Sequence, residues 1–234
     1  MSKATVGFFH VAFMNGFGGL LVAAEMHGRI MQSGLYDSSD AIKVVLLGDS
    51  AQAQEFKSYV LDRHAKYEVV HISPDIQEWE WPTLKAMSEY CKVVDCDVWY
   101  AHTKGASNCR PDVHPYIQRN IRSWRGVMCH DIMTQHSLCK ELLKEFDAVG
   151  PLLSLDRWVP HFVGNFWWAT ADHIRTLPSI PYELSNERAY AEAWIGSREG
   201  ANLRGLTELV DYDCYDFQGK YTPNGVFFGL NGAS

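Results

Sequence analysis

The chain has 234 residues, 28 acidic against 21 basic side chains and a formal net charge of −7, which excludes a general nucleic-acid binder built on a basic stripe. Hydrophobic residues make up 47% and charged residues 21%, values of a chain that buries a core rather than a disordered one. Aromatic residues reach 13%, with 8 Trp, and direct attention to a flat ligand site.

Val6 to Ala24 is mostly apolar and near membrane length, but His10, Asn15 and four glycines interrupt it. Neither a cleaved signal peptide nor stable membrane insertion is expected. Thr5 to Met14 (TVGFFHVAFM) is rich in β-formers and predicts a buried strand. Gly16, Gly18 and Gly19 break it, and a helix follows from about Leu20 to Ser33 with Gly34 as its stop. Ala41 to Leu47 is a second strand ending at Gly48-Asp49, and Ser50 can cap the next helix. Tyr67 to Ile72 is a third strand. Pro82 suits the first turn of a helix reaching Cys91. Val98 to Ala101 is a fourth strand, leading into His102-Thr103-Lys104-Gly105.

The second half changes character. Trp124 to Phe146 predicts one long amphipathic helix. Asp147 to Gly150 is strand-like, HFVGNFWWA (His161 to Ala169) carries a turn signal at Gly164-Asn165, and Glu187 to Gly196 is a short helix. Strand–helix alternation predicts an α/β fold, a mostly parallel sheet with helices on both faces in a single domain over residues 1–205. Residues 206–234 form a C-terminal extension, packed on that domain or leading to another. Six cysteines match no zinc spacing and are expected as free thiols, which with the missing leader suggests a cytoplasmic protein.

Ligands of such sheets bind beyond the carboxyl ends of the strands. At the end of the fourth strand His102 and Lys104 lie two apart, on one side of an extended chain, as two cationic groups suited to a diphosphate. A solvated loop is the plain alternative. Trp167 and Trp168 are adjacent, so they cannot share a face: one enters the core while the other can line a cleft, with His161 and Asn165 to bond hydroxyls. Glu192 and Trp194 end a short helix, where a carboxylate beside an indole can act as a base; a surface Glu beside a core Trp is the alternative. Asp95-Cys96-Asp97 is a D-x-D string, but it precedes its strand and so lies at the wrong end of the sheet for a ligand. No G-x-S-x-G, Walker loop or H-E-x-x-H occurs, and Gly16-Phe17-Gly18-Gly19 does not complete a dinucleotide fingerprint.

The ordered segments FFHVAFMNG, LLGD, VWYAHTKGAS, NIRSWRGVM, HFVGNFWWA and AEAWIGS resemble a group of bacterial and viral glycosyltransferase-like domains of polysaccharide and virion-glycan synthesis. HTKG and GNFWWA are the specific parts, and the likeness runs from about residue 5 to residue 197. It implies a GT-A type of Rossmann-like fold, a nucleotide-sugar donor of UDP or GDP type, a glycan acceptor and possible fusion to other transferase domains. Carried over by position, His10, Asp49, Thr83, His102 and Lys104 would bind the donor. Trp124 and Arg125 would open the long helix below the site. His161, Asn165, Trp167, Trp168 and Trp194 would receive donor sugar and acceptor, and Glu192 would be the base. His102 and Lys104 stand where other enzymes of the type place D-x-D. The resemblance therefore implies no cofactor, with Mn²⁺ or Mg²⁺ on the diphosphate as the alternative. Two other readings stay open: a silent glycan- or nucleotide-sugar-binding module of a larger transferase, and, behind it, a Rossmann oxidoreductase or methyltransferase.

Overall fold

A computed structural model describes residues 3–14, 16, 18–155, 159–180, 188–208 and 222–223. Strand β1 (Ala4–Phe13) forms the middle of the molecule and is buried along nearly its whole length. A run that is apolar on both sides fits only between two covering layers. Next come α1 (Gly18–Gln32), α2 (Leu35–Ser38), β2 (Ala41–Gly48), α3 (Ser50–Tyr59), β3 (Tyr67–Ser73), α4 (Trp81–Val93) and β4 (Cys96–His102). The second half holds α5 (Pro115–Cys129), α6 (His136–Leu142), β5 (Ala148–Gly150), β6 (Leu153–Ser154), β7 (His161–Phe162) and β8 (Trp167–Thr170). It continues with α7 (Ala171–Thr176), α8 (Arg188–Ala193), β9 (Leu203–Gly205), β10 (Thr207–Glu208) and β11 (Thr222–Pro223).

Seven strands make one sheet in the order β3-β2-β1-β4-β8-β5-β9. β1 pairs in parallel with β2 and β4, β2 with β3, and β5 with β9. β8 alone runs against its neighbours β4 and β5. The result is a single α/β domain, Rossmann-like, with a mixed and mostly parallel sheet. Helices cover both faces. On one, Phe9, Val11, Trp99 and Trp168 pack with Val22, Met26 and Met128 from α1 and α5. On the other, Phe8, Val98, Tyr100 and Trp167 pack with Leu84 and Met87 of α4 and Ile174 of α7.

The first four strands and the helices between them stand where the sequence puts them, with small shifts. Helix α1 starts at Gly18, and Gly34 ends that segment with φ of 78°. Asp49 rather than Ser50 caps α3, its carboxylate accepting from Ala51 N and Gln52 N at 3.0 Å each. The larger correction concerns the expected helix from Trp124 to Phe146. Helix α5 begins earlier, at Pro115, behind a His114 cap whose Nδ1 accepts from Tyr116 N. Trp124 and Arg125 thus lie inside the helix and do not open it. The helix then widens into a π segment over His130–Thr134 before α6. Partners from outside the helix satisfy the backbone there: Trp168 Nε1 donates to Ile132 O at 2.8 Å, and Cys139 Sγ donates to Asp131 O at 3.4 Å. Hydrophobic periodicity carries no signal of such partners.

Residues 206–207 lie on the domain, with Leu206 N donating to Gly150 O and Leu152 N to Thr207 O. Most of the expected extension, including Asn224 to Ser234, lies outside the described residues, as do Asn15, Phe17, Glu187 and Cys214. The five described cysteines are free. Among the described residues no helix is long and apolar enough to cross a membrane.

Candidate functional site

The carboxyl ends of β1, β2 and β4 meet at two adjoining hollows. A cavity of about 70 Å³ is lined by His10 and Ala12 of β1, Trp79 and Glu80 before α4, and the stretch from His102 to Ser107. Beside it a groove of about 410 Å³ runs past Phe13, Gly48, Asp49, Ser50 and Pro74. Met14 and Ile76 line both. Ligands of open α/β sheets sit at this edge.

The residues expected at the donor come together here. His10 and Lys104 line the cavity, and Asp49 lines the groove. Thr83 is fully buried behind His10, with its hydroxyl 2.8 Å from His10 Nδ1. The hydrogen bond from Gln52 N outweighs desolvation and, with a further bond from Ala51 N, holds the Asp49 carboxyl below its usual range. A fixed negative charge suits ribose hydroxyls or a base N–H and repels phosphate. Lys104 is half-buried, with Nζ 4.3 Å from the centre of the Trp124 ring. Its carbonyl is clamped by buried Arg125, which donates through Nη1 to Lys104 O at 2.8 Å and through Nη2 to Glu25 at 2.6 Å. Burial works to raise the Glu25 carboxyl, but the bond and charge of Arg125, with Arg29, outweigh it and leave it low. A buried arginine pair thus fixes the backbone of the lysine loop.

His102 needs a correction. It lines the cavity but is buried, and both ring nitrogens face protein groups. Nε2 donates to Gly164 O at 2.8 Å, and Nδ1 lies 3.6 Å from Glu80 Oε1. The ring stacks on Tyr100, two residues earlier on the same face of β4. It belongs to the floor and does not present a second cation to a diphosphate in this geometry.

The expected acceptor side is not assembled. Trp167 and Trp168 do point to opposite faces, but both are 0% exposed because helices cover both faces. Trp194 is buried with Nε1 donating to Pro178 O, and His161 is buried with Nδ1 bonded to Val159 O. None of the four lines either hollow. Glu192 is tied to the turn before β8, where its Oε1 accepts from Gly164 N. Gly164 has φ of 96°, and a Cβ there would lie 2.4 Å from Met128 Sδ, so the turn seats directly on α5. Asn165 does not line the cavity either, but it bonds a residue that does. Its Nδ2 donates to Glu80 Oε2 and its Oδ1 accepts from Trp167 Nε1 at 2.8 Å.

Sequence reasoning missed Trp79 and Glu80. Glu80 is 7% exposed and lines the cavity, and Tyr100 Oη also donates to its Oε2, at 3.2 Å. Trp79 has φ of 50°, a strained value for a bulky residue. The available signal was the string Glu78-Trp79-Glu80-Trp81-Pro82, a carboxylate between two indoles just before a helix start that follows a strand end. Glu78 secures the loop by accepting from Ser73 Oγ and bonding His71 Nε2 at 2.7 Å.

Two other motifs are settled by placement. Asp95 and Asp97 pair with Lys3 at 3.0 and 3.6 Å, at the amino end of β4 and away from the cleft. Gly18 opens α1, and a Cβ there would lie 2.0 Å from Cys109 O. The loop after β4 therefore rests on the first turn of α1, where a dinucleotide's diphosphate would lie. Among the described residues no group of three or more His, Cys, Asp or Glu converges as a metal site.

A family model described as a domain of unknown function (DUF8361) matches residues 26–194. The chain belongs to that family. No curated protein matches it.

Proposed function

We propose that this chain transfers a sugar from a nucleotide-sugar donor of UDP or GDP type to a glycan hydroxyl, on a GT-A-like framework. The observation that carries the proposal is the gathering of His10, Asp49 and Lys104, with Thr83 behind, at one edge of the sheet. Asp49 takes nucleoside hydroxyls or a base N–H in the groove. Lys104 faces the diphosphate and stabilises the negative charge that grows on it as the sugar leaves. Trp79 supplies an aromatic surface at the cavity in place of the two buried indoles. Lys104 does this without a metal in the main proposal; in the alternative, Mn²⁺ or Mg²⁺ arrives with the diphosphate.

One observation favours a second proposal, a silent nucleotide-sugar- or glycan-binding module. The carboxylate expected as base, Glu192, is engaged by Gly164 N. A thermal-shift screen against UDP, GDP and their common sugar conjugates, with and without Mn²⁺ and Mg²⁺, tests binding. A ligand at about a hundred times its Kd stabilises by about 2.7 kcal/mol, about 5–10 °C for a chain of this size. Release of free UDP or GDP from a conjugate that binds then separates the enzyme from the silent module. No shift with any conjugate overturns the transfer reading and the nucleotide-sugar-binding module, and leaves only a glycan-binding module, which titration with free glycans tests.

A further inference from the structure

Resting on the sugar-transfer reading above, we infer that Glu80 is the base that takes the proton of the acceptor hydroxyl. Glu80 is a carboxylate on the wall of the cavity that also holds Lys104. It is buried, and its position is over-determined. Its main chain opens α4, where its carbonyl accepts from Thr83 N and Leu84 N. Its side chain is gripped by three residues from two elements. Tyr100 of β4 and Asn165 of the turn before β8 donate to Oε2, while His102 Nδ1 stands 3.6 Å from Oε1. Neutral donors on Oε2 leave Oε1 as the oxygen directed at the imidazole. His102 Nε2 is already committed as the donor to Gly164 O, so Nδ1 is the ring nitrogen turned toward Glu80.

The residue before it adds an independent observation. Trp79 holds φ of 50° with ψ of −139°. Bulky residues keep such a backbone only where the surroundings impose it, and such strain clusters at functional sites. Here the strained step places an indole and a carboxylate from successive residues on one cavity.

The step balances as follows. The acceptor oxygen forms a bond to the anomeric carbon. The bond from that carbon to the phosphate oxygen breaks, and its electron pair leaves on the nucleoside diphosphate beside Lys104. The acceptor's proton passes to Glu80. A single displacement of this kind inverts the anomeric centre. Asn165 and Tyr100 are positioning residues, and the Gly164 turn that carries Asn165 is in turn held by Glu192.

The test uses the full chain and a panel of UDP- and GDP-sugars, with wild-type binding and nucleotide release measured first. Glu80→Gln should lower turnover at saturating donor by at least about a hundredfold and leave the Kd for UDP or GDP within about threefold. Turnover within threefold of wild type overturns the base assignment and leaves the sugar-transfer reading standing. Loss of nucleotide affinity in step with turnover also overturns it, because a base acts after the donor is bound. Retention of configuration in the product does the same. If Glu80→Gln does not fold, Glu80→Asp keeps the charge and draws it back by one methylene. A tenfold or larger loss of turnover with unchanged nucleotide affinity then supports the assignment, and unchanged turnover overturns it. A wild-type chain that neither binds nor cleaves any conjugate removes the transfer reading itself, and Glu80 falls with it.

Discussion

The edge formed by β1, β2 and β4 and the segment from His161 to Ala169 are built from similar side chains, and only one of them opens to solvent. Both hold histidines, aromatic rings and hydrogen-bonding groups. At the sheet edge the strands end, the chain turns away, and the side chains of His10, Asp49 and Lys104 are left around a hollow. In the second segment β8 runs back between β4 and β5, so its indoles are sealed under helices on both sides. Position at the end of an element, more than residue type, decides which of two polar–aromatic clusters can meet a ligand.

The sharpest way to break this comparison is Trp168→Ala. The indole is fully buried and donates to Ile132 O at the π segment. Removing it should cost about 3–5 kcal/mol and lower the melting temperature by about 6–20 °C. A variant with normal melting but weakened binding of a nucleotide sugar would return Trp168 to the site. Trp167 is equally buried, and its removal would also release Asn165 from its bond.

What could be read from the sequence follows the same division. The strands Thr5 to Met14 and Ala41 to Leu47 are mostly apolar runs with a glycine soon after their carboxyl ends, and such runs show their type and where they stop. The rule that ligands sit at carboxyl ends then pointed to Asp49 and Lys104, while His10, inside its strand, came only from the family resemblance. GNFWWA was recognisable as a turn and a strand. Its faces were not, because adjacent residues diverge whether or not the second face is covered. One partner of β8 is β4, far away in sequence, and no local pattern encodes that pairing. Glu80 was hidden for a related reason: its carboxylate is held by Asn165, 85 positions later, and no local pattern shows that bond.

The next effect lies on the covered side. Asp131 is fully buried in the π segment, where its carboxylate accepts from Thr207 Oγ1 and from Gln135 Nε2. Burial pushes its carboxyl from 3.8 up to about 6, against the pull of the Thr207 bond and of His130. The folded chain thus binds a proton more tightly here than the unfolded chain. Stability from this group is present below pH 4 and is lost as pH rises to about 6. The loss is about 3 kcal/mol at most, from about two pKa units. Asp131→Asn should remove that dependence. Its melting temperature relative to wild type should be higher at pH 7.5 than at pH 4, and an equal difference at both values would contradict the burial argument.

Glu192 joins the two regions and allows a smaller test. Its carboxylate holds Gly164 N, and the same turn presents Gly164 O to His102 and Asn165 to Glu80. Glu192→Ala should cost about 1.5–3 kcal/mol, the range for a hydrogen bond to a charged group. Glu192→Gln retains an acceptor and should recover most of that in a chemical denaturation curve. If both variants melt like wild type, the turn is held by its packing on α5 alone, and Glu192 does not link core to cleft.

The smallest effect on stability belongs to the open side. Lys104 stands over the Trp124 ring, while its backbone is fixed independently by Arg125. Lys104→Ala therefore removes a charge without releasing the loop. Loss of the cation–π contact should itself cost about 0.5–1 kcal/mol, roughly 1–4 °C in melting temperature. The effect on binding should be larger: about a tenfold loss of UDP or GDP affinity, or about 1.4 kcal/mol. Salt distinguishes a direct charge contact from a general loosening of the loop. Wild-type affinity should fall between 0.05 and 0.5 M NaCl, and Lys104→Ala affinity should fall less, because one screened attraction is already gone. Equal salt slopes with unchanged affinity would take Lys104 out of the diphosphate site. Glu80 and Asp49 would then remain as the charged groups of the hollows, a pairing suited to hydroxyl-rich ligands without phosphate.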